Sequence, residues 1–140
     1  MILAIRISGQ VNLSQKIKET LYRLRLRRKY SAVLLKPTPQ RLKLLKKIRD
    51  YIAYGDINKE TLKELIEKRA QLKNKKNKLK PEGIIEKIEK LPNKSWDIKP
   101  FFRLHSPRGG IDAKKHFGVS KKAVLGDNKD KINDLVRRML

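Results

Sequence analysis

The residues best suited to chemistry lie in one run, Phe101-Phe102-Arg103-Leu104-His105-Ser106-Pro107-Arg108-Gly109-Gly110. Phe, His and Arg offer flat faces that stack on bases or ribose. Arg103 and Arg108 carry forked donors that match phosphate geometry. Pro107 stiffens the backbone, and Gly109 and Gly110 let it bend and approach a partner with no Cβ in the way. The plainer reading of the same residues is a short apolar strand over 101–104 that runs into a surface turn. A second cluster, Arg25-Leu26-Arg27-Arg28-Lys29, places four cations in five residues. Cations at a helix C-terminus complement the helix dipole, but four exceed what capping needs, so Arg25, Arg27, Arg28 and Lys29 are read as phosphate contacts. A third, with Lys73, Lys75, Lys76 and Lys78, is a low-complexity basic loop, either a solvated linker or a segment that orders on a phosphate backbone. Lys114 and Lys115, followed by His116, read as part of an irregular basic extension.

The composition supports a polyanionic partner. The 140 residues hold 37 Lys/Arg against 14 Asp/Glu, a formal charge of +23 and a pI near 10.5. Self-repulsion at that level destabilises a free fold unless a polyanion is bound, and nucleic acid is the obvious one. The charge is uneven. Residues 1–50 carry 14 Lys/Arg against 2 Asp/Glu, whereas residues 51–100 carry 13 against 8. The basic ends are expected to face the polyanion and the mixed middle to hold solvated helices. There is no cysteine, which excludes disulfides, thiolate nucleophiles and Cys-ligated zinc. Two histidines make a histidine-rich metal site a poor reading. Asp127, Asp130 and Asp134 belong to the first turns of a helix, where negative charge is favoured. No cofactor and no small-molecule substrate are expected. No apolar run is long enough to cross a membrane, no charged region precedes the apolar N-terminal residues as in a signal peptide, and a cytoplasmic protein is expected.

The elements that position these residues follow from hydrophobic periodicity. Leu3, Ile5 and Ile7 alternate with Ala4, Arg6 and Ser8, which predicts a strand with one buried face. Asn12 is the expected cap of a helix whose stripe is Leu13, Ile17, Leu21 and Leu24. Residues 31–36 predict a second strand, buried on both faces at its centre. Thr38-Pro39 predicts a helix start, with Leu42, Leu45 and Ile48 as the stripe. Residues 51–57 predict a third strand. The order is strand–helix–strand–helix–strand, with helices expected on one face of a small sheet. Asn58 should cap a third helix with Leu62, Leu65, Ile66 and Leu72 inward, its charges paired along its own surface. Pro81 starts a further helix that Pro92 ends. Trp96 and Ile98 should pack that appendage on the sheet. Asp127 or Asn128 is the expected cap of a last helix carrying Ile132, Leu135, Val136 and Met139. The fold class is α+β, organised as residues 1–57 (core), 58–100 (helical insertion with basic loop) and 101–140 (nucleic-acid-contacting strand and loop, with a C-terminal helix packing back on the core).

Taken in order, several stretches resemble the universal large-subunit ribosomal protein thirty family in its longer archaeal form, akin to the eukaryotic large-subunit protein seven. They are Ile5-Arg6-Ile7-Ser8-Gly9, residues 24–29, Thr38-Pro39, residues 50–57, residues 61–69 and, most specific, residues 102–110. The chain departs from the family in Ser106, where a second proline is common, and in a shorter, less glycine-rich region after Gly110. The resemblance implies a ferredoxin-like core with an antiparallel three-stranded sheet, plus an insertion. It also implies a structural constituent of the large ribosomal subunit rather than an enzyme. The implied partners are large-subunit ribosomal RNA, with 5S RNA as a candidate, and neighbouring large-subunit proteins. Two competing readings remain. One is a ferredoxin-like RNA endonuclease with His105 as base beside Arg108-Gly109-Gly110, which lacks an evident acid partner. The other is a basic DNA-binding protein.

Overall fold

A computed structural model of the chain describes residues 1–73, 81–90 and 96–140. The elements run β1 (Ile2–Arg6), α1 (Gln15–Arg23), β2 (Ser31–Leu35), α2 (Pro39–Lys47), β3 (Ile52–Asp56), α3 (Lys59–Arg69), α4 (Pro81–Lys90), β4 (Phe102–Arg103), β5 (Asp112–His116), β6 (Ala123–Asp127) and α5 (Ile132–Met139). The three expected strands are present, with β1 at the centre, antiparallel to β2 on one side and to β3 on the other. The sheet is larger than expected. It has six strands in the order β4-β2-β1-β3-β6-β5, and its last two pairings are parallel. The basic extension from Lys114 to Lys122, expected to be irregular, begins inside β5 and leads into β6. The register between those two strands shifts, so the sequence shows no clean alternation there.

All five residues of β1 are buried, which needs cover on both faces of the sheet. Helices on one face were expected; the structure places them on both. Ile2, Ala4, Val33, Leu35, Ile52 and Tyr54 pack with Leu21 and Leu26 of the α1 region and with Leu45 and Ile48 of the α2 region. Leu3, Ile5, Ile7, Ala32, Leu34 and Ala53 face the other way, against Leu62, Leu65 and Ile66 of α3, Ile84 and Ile88 of α4, and Leu135, Val136 and Met139 of α5. Trp96 and Ile98 join that second core, as their apolar character predicted.

Local chemistry explains several element ends. Thr38 Oγ1 accepts a hydrogen bond from the Arg41 amide at 3.4 Å, with Pro39 opening the helix, as read from sequence. Asn12 does not cap α1; it sits in the left-handed region (φ 58°), and Ser14 precedes the helix. Of the two caps expected for the last helix, Asp127 accepts from the Lys129 amide at 3.0 Å through its Oδ1, whereas Asn128 makes no capping bond. It turns inward and donates to the Val124 and Gly126 carbonyls, and a single 3₁₀ turn over Lys129–Lys131 leads into α5. Leu72 lies beyond α3, bridged to Ile98. Asn133 of α5 clamps the β3–α3 junction: its Oδ1 accepts from the Asn58 amide at 2.9 Å and its amide donates to the Asp56 carbonyl at 3.1 Å. Glu60 and Glu64 reach across to Arg137 of α5 at 3.6 and 3.4 Å, so α3 is not paired only along its own surface.

Arg6, expected on the solvated face of β1, is only 1% exposed. Its guanidinium donates to four backbone carbonyls: Leu26 at 2.8 Å and Arg27 at 3.0 Å from Nη1, Gly9 at 2.7 Å from Nη2, and Ser8 at 3.0 Å from Nε. Burial pulls its pKa below the ordinary arginine value, with the Tyr22 hydroxyl acting weakly in the opposite sense. The cation is held by aligned carbonyl dipoles in place of water.

Two outcomes follow from this packing. Arg6→Met removes the guanidinium that donates to the Leu26, Gly9 and Ser8 carbonyls and leaves the Arg27 carbonyl with Gln10 Nε2 at 3.0 Å, and should lower unfolding free energy by about 3 kcal/mol in urea denaturation. Gly55→Ala should cost about 2 kcal/mol in the same assay, because an added Cβ overlaps the Lys129 carbonyl oxygen and meets Ile132 Cβ at 3.0 Å, and the partner there is backbone.

Candidate nucleic-acid interface

Helix α1 ends in a motif that turns the chain sharply. The Leu26 amide donates to the Leu21 carbonyl and the Arg25 amide to the Tyr22 carbonyl, both at 2.9 Å, with Arg25 in the left-handed conformation (φ 63°). This is the Schellman arrangement, and glycine usually holds the position that Arg25 occupies. The chain then passes over Arg6 and returns to β2 at Ser31, whose amide and hydroxyl both donate to the Arg28 carbonyl. Tyr30 is also left-handed (φ 62°). Its amide donates to the Arg6 carbonyl at 2.7 Å, and its own carbonyl accepts from the Leu104 amide at 3.0 Å.

β4 is the other wall. Arg103 pairs with Ser31 and Phe102 with Ala32, so two segments remote in sequence lie side by side. Between them is a recess of about 370 Å³ lined by Arg25, Arg27, Arg28, Lys29, Tyr30, Ser31, Phe101, Arg103 and Leu104. Lys29 Nζ sits 4.9 Å from the Tyr30 ring centroid and Arg103 Cζ 5.9 Å from that of Phe101, so each ring carries a cation. A neighbouring recess of about 440 Å³ shares Arg25 and adds Arg23, Arg41 and Lys73 over a floor of Leu24, Val33, Leu35, Leu44 and Pro100. Among the described residues, no Asp or Glu lines either recess.

The remaining predicted residues are distributed differently. Residues 105–110 lead from β4 past the end of α5 to β5. The His105 amide donates to the Met139 carbonyl and the Arg108 amide to the Arg138 carbonyl, both at 3.0 Å, and Arg138 Nε returns a bond to the Arg108 carbonyl at 2.9 Å. Gly109 and Gly110 take φ of 77° and 70°, the bend that the double glycine predicted. The Gly109 carbonyl accepts from Lys122 Nζ at 3.2 Å and that of Gly110 from Arg138. The side chains of His105 and Arg108 are exposed. His105 makes no side-chain hydrogen bond or ion pair among the described residues. Lys114 and Lys115 lie on β5, the edge strand opposite β4, with Lys115 paired to Asp112 at 3.4 Å. Lys73 lines the second recess; Lys75, Lys76 and Lys78 lie outside the described residues.

Sequence reasoning therefore found the members of the recess but not their convergence. It singled out Phe101 as part of a stacking run but did not assign Arg23, Arg41 or Tyr30 to a site, nor Arg6 and Arg138, which hold the two loops from behind. A buried arginine on a strand has the same sequence signal as an exposed one. The one local hint for Tyr30 was its place directly after the cationic run.

Comparison with known proteins places these features in a family. The model described as ribosomal protein L30p/L7e matches residues 2–52, the segment that holds β1, α1, β2 and α2. Large ribosomal subunit protein uL30 of Methanococcus maripaludis is 35% identical over 153 residues, covering 97% of each chain. Proteins of the same name from Archaeoglobus fulgidus and Methanobrevibacter smithii are each 36% identical, over 159 and 154 residues, covering 99% and 100% of both chains. An α+β sheet that gathers unopposed cations into one groove is here the scaffold of a ribosomal protein, a structural component of the cytoplasmic translation machinery and not an enzyme. The chain belongs to the ribosomal protein L30p/L7e family.

The conformation of Arg25 has a measurable consequence. Arg25→Gly relieves a left-handed non-glycine residue and should raise unfolding free energy by up to about 1 kcal/mol in urea denaturation.

Proposed function

We propose that this protein is a non-catalytic scaffold that binds and stabilises large-subunit ribosomal RNA through its basic clusters. Large-subunit ribosomal RNA is the principal partner, with 5S RNA and neighbouring large-subunit proteins as further ones. The observation that carries this reading is the groove between the turn after α1 and β4, where Arg25, Arg27, Arg28, Lys29 and Arg103 converge with no Asp or Glu among the described residues lining it. Cations brought this close repel one another, and a phosphate backbone offsets that repulsion. Arg23, Arg41 and Lys73 extend the positive surface into the adjoining recess. Lys75, Lys76 and Lys78 add phosphate contacts from the basic loop. His105, Arg108 and the bent Gly109-Gly110 backbone form a second contact region, and Lys114 and Lys115 a third on the far edge of the sheet. The nuclease reading loses ground because His105 is exposed without an acid or base partner among the described residues. A DNA-binding role has no observation in its favour beyond charge.

Binding to ribosomal RNA should weaken with salt along a linear log–log plot. Replacing Arg27, Arg28 and Arg103 together by Gln should reduce the steepness of that plot by about 2 to 3, whereas Lys59→Gln with Lys63→Gln on α3 should leave it nearly unchanged. Filter binding over a salt series checks this; equal effects of the two sets would remove the groove from the interface. Arg25→Gly should move affinity and stability in opposite directions, with weaker RNA binding accompanying the firmer fold.

A further inference from the structure

The groove is more than a patch of charge, because it has apolar depth. Cations reach phosphates from flat or convex surfaces, and a duplex backbone is itself convex, so a clamp on phosphates alone has no need of a recess. Here five cationic residues line a cavity of about 370 Å³ together with the aromatic residues Tyr30 and Phe101 and with Leu104. That volume is within the range, from about 300 Å³ upward, in which proteins enclose a small organic group. The backbone of Tyr30 is held in place from both sides. The residue adopts a left-handed backbone conformation, disfavoured for a bulky side chain, and its amide and carbonyl are tied to Arg6 and Leu104 on the two walls. Phe101 stands on the opposite wall with Arg103 over its ring.

We propose that this recess takes one unpaired nucleotide of the RNA, its base swung out of the helix to stack against Tyr30 and Phe101 while its phosphates meet Lys29 and Arg103 at the rim. The inference rests on the RNA-binding reading and deepens it. It commits the groove to a bulge or loop with a free base and excludes a purely paired segment. Stacking on aromatic rings tolerates any base, so the recess selects for the unpaired state and not for sequence. Paired bases present only their edges and cannot enter.

The test uses the full-length protein and three RNAs. One is a short duplex carrying a single unpaired adenosine, one is the same duplex fully paired, and one has an abasic site in place of the unpaired adenosine. The bulged RNA should bind on the order of tenfold more tightly than the paired one, and the abasic RNA should lose that advantage. Phe101→Leu should abolish the preference while leaving the salt dependence of binding intact, and Tyr30→Leu provides a second reading should the first variant fail to fold, as judged by circular dichroism. With 2-aminopurine at the bulge, binding to the natural protein should also change the probe's fluorescence. Equal affinity for bulged and paired RNA, with salt dependence retained, overturns this proposal and leaves phosphate binding standing. Absence of salt-dependent binding to any of the three RNAs overturns both.

Discussion

A single buried cation organises the functional end of this molecule. Arg6 terminates the central strand, is shut off from water, and spends its donors on the carbonyls of Ser8, Gly9, Leu26 and Arg27. Two of those carbonyls belong to the very loop that displays Arg25, Arg27, Arg28 and Lys29. An apolar residue at position 6 would pack on the α1 and α2 face, but it would leave that loop without an anchor. A carboxylate would attract the exposed cations and neutralise part of the surface. A buried arginine satisfied by carbonyls does neither: it ties the loop down through neutral groups and leaves its positive field intact. Tyr30 extends the same arrangement, joining the Arg6 carbonyl to the β4 wall through its own backbone.

Local strain and global charge point the same way. Arg25 and Tyr30 both occupy left-handed backbone, and both line the groove. Residues in such conformations persist where their surroundings determine them, and here the helix-ending hydrogen bonds of α1 and the pin at Arg6 supply that determination. Among the described residues, in contrast, no Asp or Glu lines the groove. Glu60 and Glu64 join α3 to Arg137, Asp112 meets Lys115, and Asp50 meets His116 at 3.0 Å. The positive charge is thus segregated: the pairs of Arg137 with Glu60 and Glu64 join α5 to α3, that of Asp112 with Lys115 lies within β5, and the cations of the groove gather at one end of β2.

Much of the core was legible in the sequence, and the reasons are local. Thr38-Pro39 carries its own helix-start chemistry, the apolar residues of 31–35 need no partner to read as a buried strand, and Ile132 to Met139 show a helical period whatever surrounds them. What was not legible depended on contacts distant in sequence. Ala4 and Arg6 read as a solvent face because small and charged residues usually are, yet α1 and α2 cover them. Lys114, Lys115 and His116 give no strand signal, since β5 is an edge with a broken register against β6. Asn12 and Asn128 have the right side chains for caps, but one lies in a left-handed turn and the other faces carbonyls inside the fold. The site followed the same division. Its cationic clusters were visible one by one, while the recess between them is a product of β2–β4 pairing.

That pairing also sets an order of events. The cationic wall of the groove belongs to the first third of the chain, where β1, α1 and β2 make contacts between near neighbours in sequence. The aromatic wall at Phe101 comes only after α3, α4 and the whole insertion have been made, and closing so long a loop is slow compared with forming the local hairpin-like unit. During synthesis the cations are therefore displayed before the recess exists. The late strand β4 supplies the second wall, so the recess is among the last features of the fold to be completed.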